Sequence, residues 1–376
     1  MKVQERGRDR LSALPHSKIQ TENIALIIAG IGALAGLLSA LLTIRSAEIP
    51  LSGLRSLGTL VALTSAVTGA GVFLYGYRRL VRSKPELVPV GKWKGLRSVL
   101  NTASLTLTAA FVALLVIIFS FEVMQLAFVG LQVQASSAYV ISALVSSITA
   151  YMLFNLASSM STQTVSTLLT LFLLGGVLSS MITSSTPDWW QQNFSFLGST
   201  NSLSSATFNI TVILSGIVVT TMADFLTRDL YRLLVEAQIP NPERRVTIIR
   251  TLMMVIGVSF MIVGLVPVDV VLILHNIGAQ GLFAGFMILV VVVPFVARVF
   301  SKTFIAVSIV FFALTIISVL LFFPFGYYNL TGLELIALGL VFVWLILFVR
   351  TISAMLPEDN SSSSRELARS SVVGNL

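Results

Sequence analysis

The chain contains no cysteine, and that absence removes disulfides, thiolate metal sites and cysteine nucleophiles together. Histidine is nearly as scarce. His16 and His275 are the two present, and a membrane haem with paired axial histidines needs more than the single His275 in an apolar stretch. Charge is thin as well: 11% of the 376 residues are Asp, Glu, Lys or Arg, where globular chains carry about a quarter. Set beside a hydrophobic content of 56%, this excludes a water-soluble fold. No P-loop, HExxH, G-x-S-x-G elbow or paired-carboxylate motif within a helix is present, which disfavours ATP-driven transport by this chain. No cofactor and no metal is implied.

What is present is apolar sequence in long runs. About twenty mostly apolar residues cross the hydrocarbon of a bilayer, and ten windows qualify: 24–44, 57–77, 99–121, 138–158, 164–184, 206–226, 248–267, 274–296, 303–324 and 332–352. The fold class expected is therefore all-α, a polytopic bundle of about ten transmembrane helices. An even number of spans puts both termini on one side. Lysine and arginine test that count, because they gather in cytoplasmic loops near helix ends. With the amino terminus inside, all but Arg45 and Arg55 of the 24 basic residues fall on the cytoplasmic side; one helix more or fewer in the middle would misplace the later clusters. The net charge of +8 then belongs to topogenic loops rather than to a nucleic-acid-binding face. The first window is too long for a signal-peptide core, and "TIRSAE" places Arg45 where a cleavage site wants a small residue, so it is read as a retained helix.

Residues 1–23 read as a basic cytoplasmic leader, 24–158 as an amino-terminal four-helix unit, 164–352 as a six-helix membrane domain and 357–376 as a disordered Ser-rich tail. The loop plan of the first four helices recurs over the next four; a degenerate parallel repeat would give that pattern, and so would coincidence, which the loop plan alone favours. Asn193, Asn209, Asn329 and Asn360 each begin an N-x-S/T tripeptide, a pattern frequent by chance in sequence this rich in Ser and Thr.

Two stretches carry polar chemistry. "PDWWQQNFSFLGSTNSLSSATFN", Pro187 to Asn209, lies between two apolar runs on the outer side. Trp189 and Trp190 suit an aromatic belt, and Ser204 or Ser205 suits the N-cap of the next helix. Asp188, Asn193, Ser195 and Asn209 are its candidates for a ligand-binding outer cleft. In "VPVDVVLILHNIGAQGLFAGF", Asp269, His275, Asn276 and Gln280 are the candidates. Asn276 and Gln280 share a face one helical turn apart, and His275 lies about 100° to one side. Ionisable and polar groups at membrane depth normally face the bundle interior. The blander reading of His275 is a hydrogen bond to a neighbouring helix. Glu122 and Asp224 are the other ionisable groups singled out, both near an interface. Arg78, Arg79, Lys92, Trp93 and Lys94, in the basic loop after the second helix, suit contact with anionic lipid headgroups. Gly32, Gly36 and Ala40, and likewise Gly281 and Gly285, recur at four-residue spacing and let helices approach closely.

"NFSFLGSTNSLSSATFNITVILSGIVV", followed by "HNIGAQGLFAGFM", resembles the bacterial multi-pass family catalogued as domain of unknown function nine-nine-eight, distantly similar to the Frag1/DRAM/Sfk1-like membrane proteins. Asn193, Phe194, Ser195, Leu197, Gly198, Phe208, Asn209, His275, Gly278 and Ala279 occupy the matching positions, and the resemblance covers roughly residues 164–352. It implies an integral plasma-membrane protein and no particular reaction. The leading functional expectation is a non-enzymatic, permease-like or lipid-interacting protein with an outer polar cleft. Two alternatives stand beside it: an intramembrane or envelope enzyme using Asp269 and His275, and a structural subunit of an envelope complex. The expected partners are membrane lipids, and a membrane protein or second copy docked through helices one and eight.

Overall fold

The computed structural model describes residues 16–87, 94–199 and 202–356. Helices dominate it: α1 (His16–Thr43), α2 (Leu57–Ser83), α3 (Lys94–Ala127), α4 (Ala135–Ser158), α5 (Thr162–Ile182), α6 (Leu203–Glu236), α7 (Pro242–Leu265), α8 (Leu272–Ala297), α9 (Lys302–Phe322) and α10 (Leu330–Met355). All ten are long and apolar enough to cross a membrane, so the protein is a multi-pass membrane bundle. Successive spans alternate in direction. The α2–α3, α6–α7 and α8–α9 connections and the end of α10 therefore share one face with the start of α1; this is the basic face.

Several helices overrun their hydropathy windows. At 34 residues each, α3 and α6 reach about 51 Å at 1.5 Å per residue, well beyond the roughly 30 Å of hydrocarbon. Hydropathy registers only the lipid-length core of such a helix, and the polar extension escapes it. For the same reason α1 begins at His16, inside the stretch read as a leader. The leader's first fifteen residues and the Ser-rich tail lie outside the described residues. On the face opposite the basic one, a small ribbon pairs β1 (Glu48–Pro50) antiparallel with β2 (Gln132–Gln134), tying the α1–α2 and α3–α4 loops together.

Packing does not repeat between the two sets of four helices. In the first, α4 lies against both α1 and α2, and α2 against α3; in the second, α5, α6, α7 and α8 pack mainly in chain order. The cause is a small-residue seam. Gly32 and Gly36 meet Ser142, Ser146 and Ala150 of α4 so closely that a Cβ at Gly36 would stand 2.2 Å from the Ser142 carbonyl oxygen. Hydroxyls join the seam to α2, with Ser65 and Ser146 3.1 Å apart and Thr64 donating to Ser39 at 3.0 Å. Gly281 and Gly285 are spent in the same way, against Ser259 and Ile256 of α7. The glycine faces of α1 and α8 expected to dock a partner are thus buried within the chain.

The two halves meet through α3, which packs on α5 and α6. Beyond that junction, Trp344 of α10 anchors an aromatic cluster with Phe286, Phe304 and Phe348, its indole N–H donating to Ser308 Oγ at 3.1 Å.

Candidate functional site

The stretch from Pro187 to Asn209 folds as two 3-10 turns, Trp189–Gln191 and Phe194–Gly198, and then enters α6. Ser202 rather than Ser204 or Ser205 is the N-cap, in a reciprocal capping box with Ser205. Ser204 instead turns inward onto Ser180 of α5. Trp189 packs edge-on to Phe194, which in turn packs edge-on to Phe208 with ring centroids 5.1 Å apart. Of the two tryptophans only Trp190 is exposed, so the aromatic belt accounts for half of the pair.

What holds this loop is Glu334, a residue the sequence reading passed over. Its carboxylate accepts from the Phe194 backbone N–H and, at 3.5 Å, from the Ser195 hydroxyl. A negative group on the first N–H groups of a helical turn is favourable for the reason a helix N-cap is; here the cap comes from another helix. The signal was available, because a lone carboxylate inside a span is costly and seldom idle. Asn329 adds a second tether, donating to the Trp190 carbonyl oxygen at 2.6 Å while capping α10 through Gly332. Asn209 adds a third, donating to the Gly198 carbonyl oxygen at 2.9 Å. The loop is drawn down onto α10 and α6. Beneath it Asn193 Oδ1, Ser199 Oγ, Asn209 Oδ1 and Thr331 Oγ1 are buried acceptors with no hydrogen bond among the described residues. Replacing Glu334 with alanine is expected to speed amide exchange at Phe194 and Ser195 by about ten- to a hundredfold, the worth of a hydrogen bond to a charged group. Unchanged exchange there, followed by mass spectrometry, would mean the loop is held by packing alone.

The second polar stretch goes elsewhere. His275 is buried, and its Nδ1 lies 2.7 Å from the Val266 carbonyl oxygen, closing the α7–α8 turn; the bland expectation for it is the one the structure matches. Asp269 is exposed in that turn, and Asp188 is exposed at the start of the other loop. Asn276 and Gln280 are exposed too, which reverses the expectation that they face the bundle interior. The reason lies on the same helix: Gly278, Gly281 and Gly285 turn α8 toward α7, and that places 276 and 280 on the outer side. The structure therefore gathers Asn193, Ser195 and Asn209 around one loop, and shows no hydrogen bond from them to Asp269, His275, Asn276 or Gln280. Glu122 is exposed near the end of α3.

Charge concentrates instead toward the basic face. Asp224 of α6 receives Arg97 of α3 and Arg250 of α7, the latter through Nη2 at 2.7 Å and Nε at 3.2 Å. Asn101 donates to its other oxygen at 3.1 Å and accepts from Thr221, which lies 2.9 Å from Ser104. One turn on, Asp229 accepts from Thr162 and pairs with Arg228 at 3.2 Å. The sequence marked Asp224 only as a residue near an interface. Its partners come from two other helices, α3 and α7, and no local spacing announces them.

Toward the basic face, the last turns of α2 and the first turns of α3 line a groove of about 530 Å³. Leu74 and Val81 of α2 and Val99, Ala103 and Leu107 of α3 form its apolar walls, with Arg78 and Arg82 on one side and Ser98, Thr102 and Thr106 on the other. Arg78 and Arg82 are exposed, one helical turn apart, and make no salt bridge among the described residues. The Thr102 and Thr106 hydroxyls donate to carbonyls of their own helix at 2.7 Å, so this wall is less polar than its composition implies. Of the headgroup candidates, Arg78 lines the groove, Arg79 and Lys94 lie close by in the chain without lining it, and Lys92 and Trp93 lie outside the described residues. No protein-family model, curated protein or solved structure matches this chain.

Proposed function

We propose that this is a non-catalytic, lipid-interacting protein of the plasma membrane, with both termini cytoplasmic, that seats an anionic phospholipid of the inner leaflet between α2 and α3. The observation that carries this is the groove: an apolar slot with two unpaired guanidiniums on the basic face. Its volume lies within the few hundred to 1,000 Å³ usual for small-molecule sites. From Arg82 to Leu74 is about 12 Å along the helix, most of the depth of one hydrocarbon leaflet. An acyl chain lies against Leu74, Val99 and Leu107, and the phosphate meets Arg78 and Arg82, whose planar forks suit a phosphate group. The positive end of α3 opens beside it. Orientation rests on the basic residues, which favour the cytoplasmic side. Membership of the family named above remains part of this reading, supported by the motif residues alone.

The enzyme alternative gains nothing from the geometry, since His275 is engaged by a backbone carbonyl and Asp269 is exposed. The lipid reading is tested by native mass spectrometry of the protein released from mild detergent. The unaltered chain is expected to retain one anionic phospholipid. Arg78→Gln with Arg82→Gln is expected to weaken retention about tenfold or more, at roughly 1.5–3 kcal/mol for hydrogen bonds to a charged group. Equal retention by both proteins would remove the groove from the account.

A further inference from the structure

Asn276 and Gln280 are exposed carboxamides on an otherwise apolar face of α8, where Ile273, Ile277, Ala284 and Ile288 are their exposed neighbours. Neither side chain makes a hydrogen bond to another described residue. Counted from Leu272, the two positions lie about 6 Å and 12 Å along the helix. A helix of 26 residues overhangs the hydrocarbon by only a few ångströms at each end. Gln280 therefore lies well inside the hydrocarbon, where an unpaired amide has no water to bond and is strongly disfavoured. The bundle itself does not relieve this, because α8 is committed to α7 on its glycine side.

We propose that this face is the contact between two copies of the chain. A carboxamide both donates and accepts, so across a twofold axis it pairs with its own counterpart, and one patch supplies both halves of the contact. Lipid tails offer no such partner. Ala284, one turn beyond Gln280, leaves room for the second helix to come near, and side-chain hydrogen bonds between close helices are a recognised source of association in membranes. The groove between α2 and α3 plays no part in this contact, so the proposal stands or falls separately from the lipid reading.

The lack of native cysteine makes the test direct. Ala284→Cys in the full-length chain, expressed in membranes as two differently tagged copies, is oxidised and examined for disulfide-linked dimers carrying both tags. Leu34→Cys, on an exposed position of α1, measures random encounter at the same density. Ala284→Cys is expected to cross-link well above that background. Adding Gln280→Leu is expected to weaken the dimer by about three- to twentyfold, the range for one interhelical hydrogen bond, with the monomer's melting temperature retained. Three results would each overturn the proposal: cross-linking no higher than with Leu34→Cys, no loss on adding Gln280→Leu, or adducts that contain a different protein in place of the second tag.

Discussion

Asp224→Ala is expected to leave almost no folded protein. The carboxylate pairs with both Arg97 and Arg250, and Asn101 donates to its second oxygen. Truncation takes the shared carboxylate from two partly buried guanidiniums, and removing one partner of a buried ion pair costs about 3–5 kcal/mol, a large part of ordinary domain stability. The node also spans the junction between the two halves of the bundle, through α3, α6 and α7, so the loss acts where the contacts are few. Asp224→Asn keeps an acceptor for Asn101 but not the charge, and should fall between. Size-exclusion profiles and melting temperatures of detergent-extracted protein check the order, with Asp188→Ala as an exposed control. A chain carrying Asp224→Ala that elutes and melts normally would show that water, not Asp224, satisfies the two arginines.

The sequence made the spans legible and the contacts between them opaque, for separable reasons. Ten runs of apolar residues with basic residues at alternate ends are a one-dimensional signal, and hydropathy reads it directly. Whether a polar residue faces inward is a question of helix rotation, and in lipid both sides of a helix are apolar. Asn276 and Gln280 show the consequence: nothing in their own periodicity told inside from outside, and the glycines opposite them decided it. Glu334 was missed for a simpler reason, since it sits within a window otherwise apolar enough to be read as an unremarkable span. Asn209 and His275 stand out in the sequence as polar groups beside long apolar runs, and each serves a backbone carbonyl. A polar residue close to a helix end has such a carbonyl within reach more often than it has a ligand.

The seam between α1 and α4 permits a sharper test of what holds the amino-terminal helices. Gly36→Leu and Gly30→Leu make the same chemical change in the same helix. Leucine is a better helix former than glycine by nearly 1 kcal/mol, so propensity alone predicts that both variants gain stability. Close approach predicts a split. Around Gly30 nothing lies within 4 Å of an added Cβ, whereas at Gly36 it meets the Ser142 carbonyl oxygen at 2.2 Å and the Ser146 Cβ at 2.8 Å. The obstacle at 36 is backbone, which cannot rotate aside as a side chain does; α1 and α4 must separate, and the Ser65–Ser146 and Thr64–Ser39 hydrogen bonds behind the seam go with them. Overpacking ordinarily costs about 1–3 kcal/mol, and with those bonds lost Gly36→Leu is expected at or above the upper end, while Gly30→Leu melts at or slightly above the unaltered protein. If the two variants melt together, α1 is held to the bundle by lipid and chain connectivity, and the small residues facing α4 are not what keeps it there.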